Sequence, residues 1–240
     1  MARIQVAVAT YNVHRCIGRD GRRDPARVAQ VIRELRAPIV GLQEVETVFS
    51  GEPDQHQLNF LSEATGMAAI PGPTFFRTDG HYGNVLLTNA DVADIRRHDV
   101  SVARREPRGI LDVDLELGGH RLRVLNLHLG LSWRERDRQI SKLEDLVHEP
   151  RPEPLVVMGD FNEWWPWSPR LHRLHKRFGH RTDMRTFPAR WPLLSLDRIW
   201  VRPAALVRGA EVCKSRLARV ASDHLPLRVE LLVEPAARRS

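Results

Sequence analysis

The sequence predicts an α/β fold, and three observations carry that prediction. A strand, a helix and a second strand follow one another between residues 4 and 42. Two partly alternating runs, Ile110 to Leu117 and His120 to His128, flank a two-residue Gly118-Gly119 turn and read as a hairpin. An apolar run, Leu155 to Met158, reads as a buried strand and ends in Gly159-Asp160-Phe161-Asn162. Strands outnumber helices, and no repeat or low-complexity block interrupts the order. A length of 240 residues suits one large α/β domain or two small ones. The unbroken element order favours one domain over residues 1–235, with a frayed basic tail at 236–240.

Taken in order, Ile4 to Thr10 is rich in Val and Ala and reads as a buried strand. It delivers Tyr11, Asn12, Val13 and His14 at its tip. Asn12 taken alone is equally a cap or turn former. Asp24 and Pro25 open a helix as N-cap and first helical residue. Val28, Val31, Ile32 and Leu35 give it one apolar face, and Pro38 stops it. Ile39 to Leu42 is a second buried strand ending in Gln43-Glu44. A right-handed crossover makes the two strands parallel and puts Asn12 and Glu44 at one end of the sheet.

Gly51 to Gln57 reads as a polar loop, Leu58 to Thr65 as a short helix ended by Gly66, and Pro71 to Pro73 as a turn. Phe75 to Arg77 and Val85 to Thr88 read as strands flanking Gly80-His81-Tyr82-Gly83-Asn84. Residues 91–108 look irregular and basic; most of their arginines suit solvated surface, and one or two suit phosphate. Trp133 to His148 is a helix, and Pro150 to Pro154 is a tight linker. Trp164, Trp165 and Trp167 follow the Asp160 motif, where packing and the lining of a substrate pocket are both open readings. Residues 168–178 form a helix. Leu196 to Val201, Leu206 to Cys213 and Leu227 to Val233 are strands, with Ser222-Asp223-His224 before the last.

The formal charge of +7 comes almost wholly from Arg, since Lys occurs only at 142, 176 and 214. Such a balance favours polyanionic or phosphorylated partners. Codon bias accounts for it as well, because acidic and basic residues are mixed along the chain. Only Cys16 and Cys213 are present, without a Cys-x-x-Cys pair. That excludes a cysteine-based zinc site and points to a reducing compartment. Met1 to Ala9 is strand-like rather than a signal peptide, and no stretch nears the ~20 apolar residues that cross a bilayer. A cytoplasmic protein is expected, with no evident obligate protein partner.

The polar residues at strand tips are Asn12, Glu44, Asn84, His128, Asp160, Asn162, Asp197, Asp223 and His224. Carboxylates, carboxamides and histidines without cysteine suit a hard cation such as Mg²⁺, which keeps several waters and takes one or two carboxylates. Zinc fits less well, because no His-x-x-x-His spacing occurs.

Seven short motifs occur in order: Thr-Tyr-Asn-Val at 10–13, Leu-Gln-Glu-Val at 42–45, Tyr-Gly-Asn at 82–84, Asn-Leu-His-Leu at 126–129, Gly-Asp-Phe-Asn at 159–162, Leu-Asp-Arg-Ile at 196–199 and Ser-Asp-His-Leu-Pro at 222–226. Together they resemble the endonuclease/exonuclease/phosphatase superfamily, of which pancreatic-type DNases are members. The resemblance runs from Asn12 to Pro226. It implies a four-layer α/β sandwich of two packed mixed β-sheets flanked by helices, and a catalytic domain that hydrolyses phosphate esters with Mg²⁺ or Mn²⁺. It implies Glu44 as principal metal ligand, helped by Asn12 and Asp223. It implies His224 as the catalytic histidine, oriented by Asp197, and Asp160 and Asn162 positioning or deprotonating the water. It implies His128 as a donor to phosphate with Asn84 as its partner, and Arg105 or Arg108 as a phosphate contact. Whether Asp160 or His224 takes the proton from water stays open.

Departures from the family's patterns narrow the substrate. His14 stands where abasic-site endonucleases carry Asp, and Leu-Ser-Leu-Asp-Arg replaces their Trp-Arg-Leu-Asp-Tyr, so DNA repair is disfavoured. Residues 185–199 are similar to a compact bacterial branch whose members are often encoded near cardiolipin synthases. A phospholipid, its headgroup or a small phosphorylated molecule is therefore slightly preferred. A nuclease acting on DNA or RNA is the alternative. A silent binding module is a third reading, which the intact Glu44, Asp160, Asn162 and His224 set opposes.

Overall fold

The computed structural model describes residues 3–49, 56–148, 153–179 and 183–233. The expected tail at 236–240 and parts of the expected loops around residues 51 and 150 lie outside that range. Eleven strands form two sheets among the described residues. The first holds β1 (Ile4–Asn12), β2 (Ile39–Val48), β3 (Ala68–Arg77), β4 (Gly80–Thr88), β10 (Val207–Val212) and β11 (Leu227–Val233), in the order β10-β11-β1-β2-β4-β3. The second holds β5 (Asp91–Asp99), β6 (Gly109–Leu117), β7 (His120–His128), β8 (Leu155–Asp160) and β9 (Asp197–Arg202), in that order. Both sheets are mixed: β1–β2 and β7–β8 pair in parallel, and the other neighbours pair antiparallel.

Alternation along β1 shows how the layers stack. Val6 and Val8 face the second sheet, where they meet Leu111, Val124, Val156, Met158 and Ile199. Ala7, Ala9 and Tyr11 face the other way, onto Val28, Val31, Ile32 and Leu35 of α1 (Pro25–Leu35) and Leu61 of α2 (Gln57–Thr65). The second sheet repeats the plan. Leu125, Leu127, Val157 and Trp200 pack on Ile140 and Leu143 of α3 (Trp133–Leu146) and on Leu171, Leu174 and Phe178 of α4 (Pro169–Phe178). Three apolar interfaces thus separate four layers, the expected α/β sandwich. Strands buried on both faces read as near-continuous apolar runs, as β1 and β8 do. The fifth helix, α5 (Ala218–Ala221), is a single turn beside α1. No helix among the described residues is long and apolar enough to cross a membrane.

Three sequence expectations change. Residues 91–99, expected to be irregular, form edge strand β5. Its residues are mostly exposed and charged, so it lacks the alternation that reveals a half-buried strand, and its charges discourage pairing with another chain. Pro71 and Pro73 lie within β3, an edge strand of the first sheet, where a missing N–H leaves no ladder partner unsatisfied. Strand β2 does not stop at Glu44 but runs to Val48 through a bulge between Leu42 and Val45.

Topology gathers the polar positions. Asn12, His128 and Asp160 are the last residues of β1, β7 and β8. Asp197 begins β9 opposite Asp160, and Leu227 at the start of β11 pairs with Thr10. Parallel strand ends and antiparallel strand starts therefore meet at one end of the sandwich.

Candidate active site

The bulge in β2 re-aims a side chain, as bulges beside functional sites commonly do. Glu44 sits there with φ of 60°, a left-handed conformation that disfavours a residue with a Cβ. A buried amide from the other sheet steadies the bulge. Asn126 Nδ2 donates to the Leu42 and Val85 carbonyls at 3.0 and 2.9 Å. Gln43 Nε2 donates to Asn126 Oδ1 at 2.7 Å and to Thr10 Oγ1 at 3.0 Å. Gly41 leaves room for this crossing, because a Cβ there would lie 2.8 Å from Asn126 Oδ1. Every member of the group is buried, so each hydrogen bond also relieves a polar group cut off from water.

Asp160 stands at the centre of the strand ends. Its Oδ1 accepts from the Asn162 backbone N–H at 2.8 Å, and its Oδ2 accepts from Asn12 Nδ2 at 3.0 Å. The same Oδ2 lies 3.6 Å from His128 Nε2 and 3.7 Å from His224 Nε2. The turn that presents it depends on Gly159, at φ of 147°, where a Cβ would lie 1.9 Å from the Leu127 carbonyl oxygen.

His224 is held from behind. Its Nδ1 lies 2.8 Å from Asp197 Oδ2, which also accepts from Thr186 Oγ1 at 2.5 Å. Nε2 is left facing Asp160. Burial alone would lower the pKa of His224, but Asp197 and then Asp160 outweigh it and push the ring up to about 10. The Phe187 ring stands 4.8 Å from the imidazole.

His128 is the opposite case. Burial, then the Arg108 charge, push its pKa down to about 3, so the ring is neutral near pH 7. Arg108 Nη1 donates to Nδ1 at 3.2 Å, while Nε2 faces Asp160 and lies 3.0 Å from Asn162 Nδ2, which also donates to the Leu129 carbonyl at 2.8 Å. The partner of His128 is therefore Arg108 and not Asn84, whose amide donates to the Gly109 carbonyl at 3.0 Å. Arg108 is nearly buried and forms a forked pair with Glu106, both contacts at 3.1 Å. Arg105 is exposed and does not line the cavity, so the structure separates the two arginines.

Asp160, Asn162, His128, His224 and Arg108 line a cavity of about 800 Å³ that also holds Glu44, Asp223, Arg15, Tyr82 and Leu131. Asn12, expected as a metal ligand, acts as a donor. Its amide nitrogen serves Glu44 at 3.1 Å as well as Asp160, and its oxygen accepts from the His14 N–H at 3.0 Å. Glu44 and Asp223 bring carboxylate oxygens to the cavity. That all-oxygen set fits a hard divalent cation. Ligand atoms of Asp160, Asp197 and His224 also lie within 4.8 Å of one another. The short His224–Asp197 hydrogen bond already occupies two of them, which suits a proton-holding pair better than a metal centre. Thr186, Gln43 and Asn126 were not identified from sequence as site residues; Asn126 shares the Asn-Leu-His-Leu motif with His128, which is the one signal pointing to it.

A sequence model of the endonuclease/exonuclease/phosphatase family matches residues 9–224. The chain belongs to that family. The endonuclease/exonuclease/phosphatase family is one of phosphoester hydrolases, and the polar strand-tip residues from Asn12 to His224 all fall inside the match. Over 243 aligned positions the chain is 32% identical to the uncharacterized protein YbhP of Escherichia coli K12, covering 93% of this chain and 95% of that one. Among solved structures, the endonuclease/exonuclease/phosphatase of Beutenbergia cavernae superposes with a TM-score of 0.77 at 20% identity, covering 98% of this chain and 73% of that one. A mannosyl-6-phosphatase of Bacteroides thetaiotaomicron gives 0.72 at 20% identity, covering 94% and 99%. At such identities these likenesses speak for the fold alone.

Proposed function

We propose that this endonuclease/exonuclease/phosphatase protein is a Mg²⁺- or Mn²⁺-dependent enzyme that hydrolyses a phosphate ester by in-line attack of water. The observation that carries the proposal is the placement of Asp160 Oδ2 between the ring nitrogens of His128 and His224, at 3.6 and 3.7 Å. A carboxylate in that position, anchored by Asn12 and by the Asn162 N–H, is placed to orient a water and take its proton. Neutral His128 and the Asn162 amide meet the phosphoryl oxygens. His224, backed by Asp197, stabilises charge on the phosphoryl group and gives a proton to the departing oxygen. Glu44 and Asp223 would hold the cation, which when bound neutralises charge on the phosphoryl oxygens.

The preferred substrate is a phospholipid, its headgroup or a small phosphorylated molecule. The cavity supports this choice, being of a size for one headgroup or sugar phosphate. A cytoplasmic setting belongs to the same proposal and suits the two free thiols. A panel tests it: nitrophenyl phosphate, bis-nitrophenyl phosphate, dispersed phosphatidylglycerol and a single-stranded oligonucleotide, each with the wild type and Glu44→Gln. Release from at least one non-nucleic ester, lost in Glu44→Gln, is expected. Turnover of the oligonucleotide alone would reassign the substrate to nucleic acid, and no turnover by a folded protein would end the enzyme reading.

A further inference from the structure

Five of the six tryptophans are more than half exposed. Tryptophan is usually well buried, and these five stand on only three loops, Trp133 where the first of them enters α3. Residues 129–133, leaving β7, raise Leu131 and Trp133, exposed by 73% and 58%. Residues 161–168, leaving β8, raise Trp164, Trp165 and Trp167. Residues 187–196, entering β9, raise Trp191 and Leu193. Each loop also supplies a wall of the cavity, through Leu131, Asn162, or Phe187 and Leu196. The apolar crown and the reacting groups therefore share one mouth.

The Trp164–Trp167 loop is built to stay open. Glu163, 1% exposed, accepts from the Trp165 N–H at 3.3 Å, Ser168 Oγ at 3.0 Å and Arg170 Nε at 2.9 Å. A buried carboxylate that gathers the loop's donors fixes the backbone while the rings point away from the core. The charge around the rings is basic. Arg134 lies over the Trp133 ring with its guanidinium carbon 5.1 Å from the centroid, and Arg185 and Arg190 are exposed on the segment that carries Trp191.

We propose that this crown docks the protein on an anionic phospholipid surface, so that the cavity opens onto the headgroup layer. The proposal rests on the phosphoester-hydrolase reading for what happens next, and names the surface on which that substrate is met. Tryptophan and arginine settle at the level of lipid headgroups, with leucine reaching toward the acyl chains. A single-stranded nucleic acid also takes arginine and aromatic rings. It gains nothing from Leu131 and Leu193, which have no ring face for a base, and it needs a long groove where this protein has three loops around one compact cavity.

Flotation of the full chain with phosphatidylcholine vesicles, with and without phosphatidylglycerol, tests the surface. Binding is expected only when phosphatidylglycerol is present, and it weakens with salt. Trp165→Ser/Trp167→Ser/Trp191→Ser should partition at least about tenfold more weakly, as three interfacial rings are removed. Trp191→Asp/Leu193→Asp, placed on a different loop, should do the same. Both variants should keep wild-type turnover of soluble bis-nitrophenyl phosphate, which checks their folding. Absence of wild-type binding, equal binding by both variants, or tighter capture of a single-stranded oligonucleotide than of the vesicles would overturn docking. Vesicle binding that follows the tryptophans, with no hydrolysis of any ester, would uphold docking and refute the hydrolase reading instead.

Discussion

Nε2 of His224 faces Asp160 Oδ2 across 3.7 Å, while its Nδ1 is tied to Asp197 at 2.8 Å. Strands β8 and β9 and the segment entering β11 arrive from different parts of the chain to make this line of acid, ring and acid. Asp160→Asn keeps the shape of the turn and removes the base, so turnover should fall by roughly 10²–10⁴. Asp197→Asn should lower kcat more than it raises KM, because it disturbs the ring and not the binding groups. Steady-state kinetics with circular dichroism as a folding control measures both.

Asn126 touches no substrate in this account; it positions Glu44 through the bulge. Asn126→Ala takes the amide donor from two buried carbonyls and the shortest of the Gln43 Nε2 hydrogen bonds, and should destabilise the protein by about 1–3 kcal/mol. It should also raise the Mg²⁺ concentration needed for half-maximal rate, while kcat at saturating metal falls less. Asn126→Asp supplies the same shape with a buried charge and should be worse than Ala in thermal denaturation.

Asp112 carries a pH prediction. It is fully buried on β6, with Arg123 at 2.7 Å, Arg96 at 2.9 Å and His98 at 3.0 Å. Burial alone would raise its pKa, but Arg123, Arg96 and His98 together hold it well below the usual carboxylate range. The unfolded group titrates near ~3.9. Its contribution to stability is therefore present in full above about pH 4 and is lost as pH falls from there toward the depressed folded value. Asp112→Ala strands the nearly buried Arg123 and should destabilise by about 3–5 kcal/mol at pH 7. The gap between variant and wild type in urea denaturation should narrow below about pH 4.

Gly159→Ala should fail structurally before it fails chemically. The added methyl would lie 1.9 Å from the Leu127 carbonyl oxygen at a φ of 147°. The β7–β8 ladder must open to admit it, and with it the backbone that presents His128 and Asp160. Loss of several kcal/mol of stability is the expected outcome, read as a lowered denaturation midpoint together with lost turnover.

Much of the fold was legible because local rules and global packing agree. Asp24 caps α1 by accepting from the Arg27 N–H at 3.0 Å, with Pro25 following, as the sequence reads. The hairpin of β6 and β7 and the final strand β11 fall where periodicity puts them. What stayed hidden needs information that crosses between elements. Strand β5 has no buried face to set a pattern. Nothing within Leu42 to Val45 shows that β2 continues past a bulge, because the bulge is defined by its partner β4. That Arg108, rather than Asn84, meets His128 depends on the β6–β7 register and on the approach of the other sheet. Asn12 looked like a ligand because amides can offer oxygen; the His14 N–H claims that oxygen and turns the nitrogen toward the two carboxylates.

The central claim is that residues from five strand ends and one bulge form a single cation-assisted centre for ester hydrolysis. Its most direct test is the rate of bis-nitrophenyl phosphate hydrolysis against Mg²⁺ concentration, for the wild type and Asp160→Asn. No wild-type rate is expected in EDTA, a saturable rise is expected with Mg²⁺, and the curve for Asp160→Asn should lie lower by roughly 10²–10⁴ at every concentration. A wild-type rate indifferent to EDTA, or equal rates for the two proteins, would contradict it.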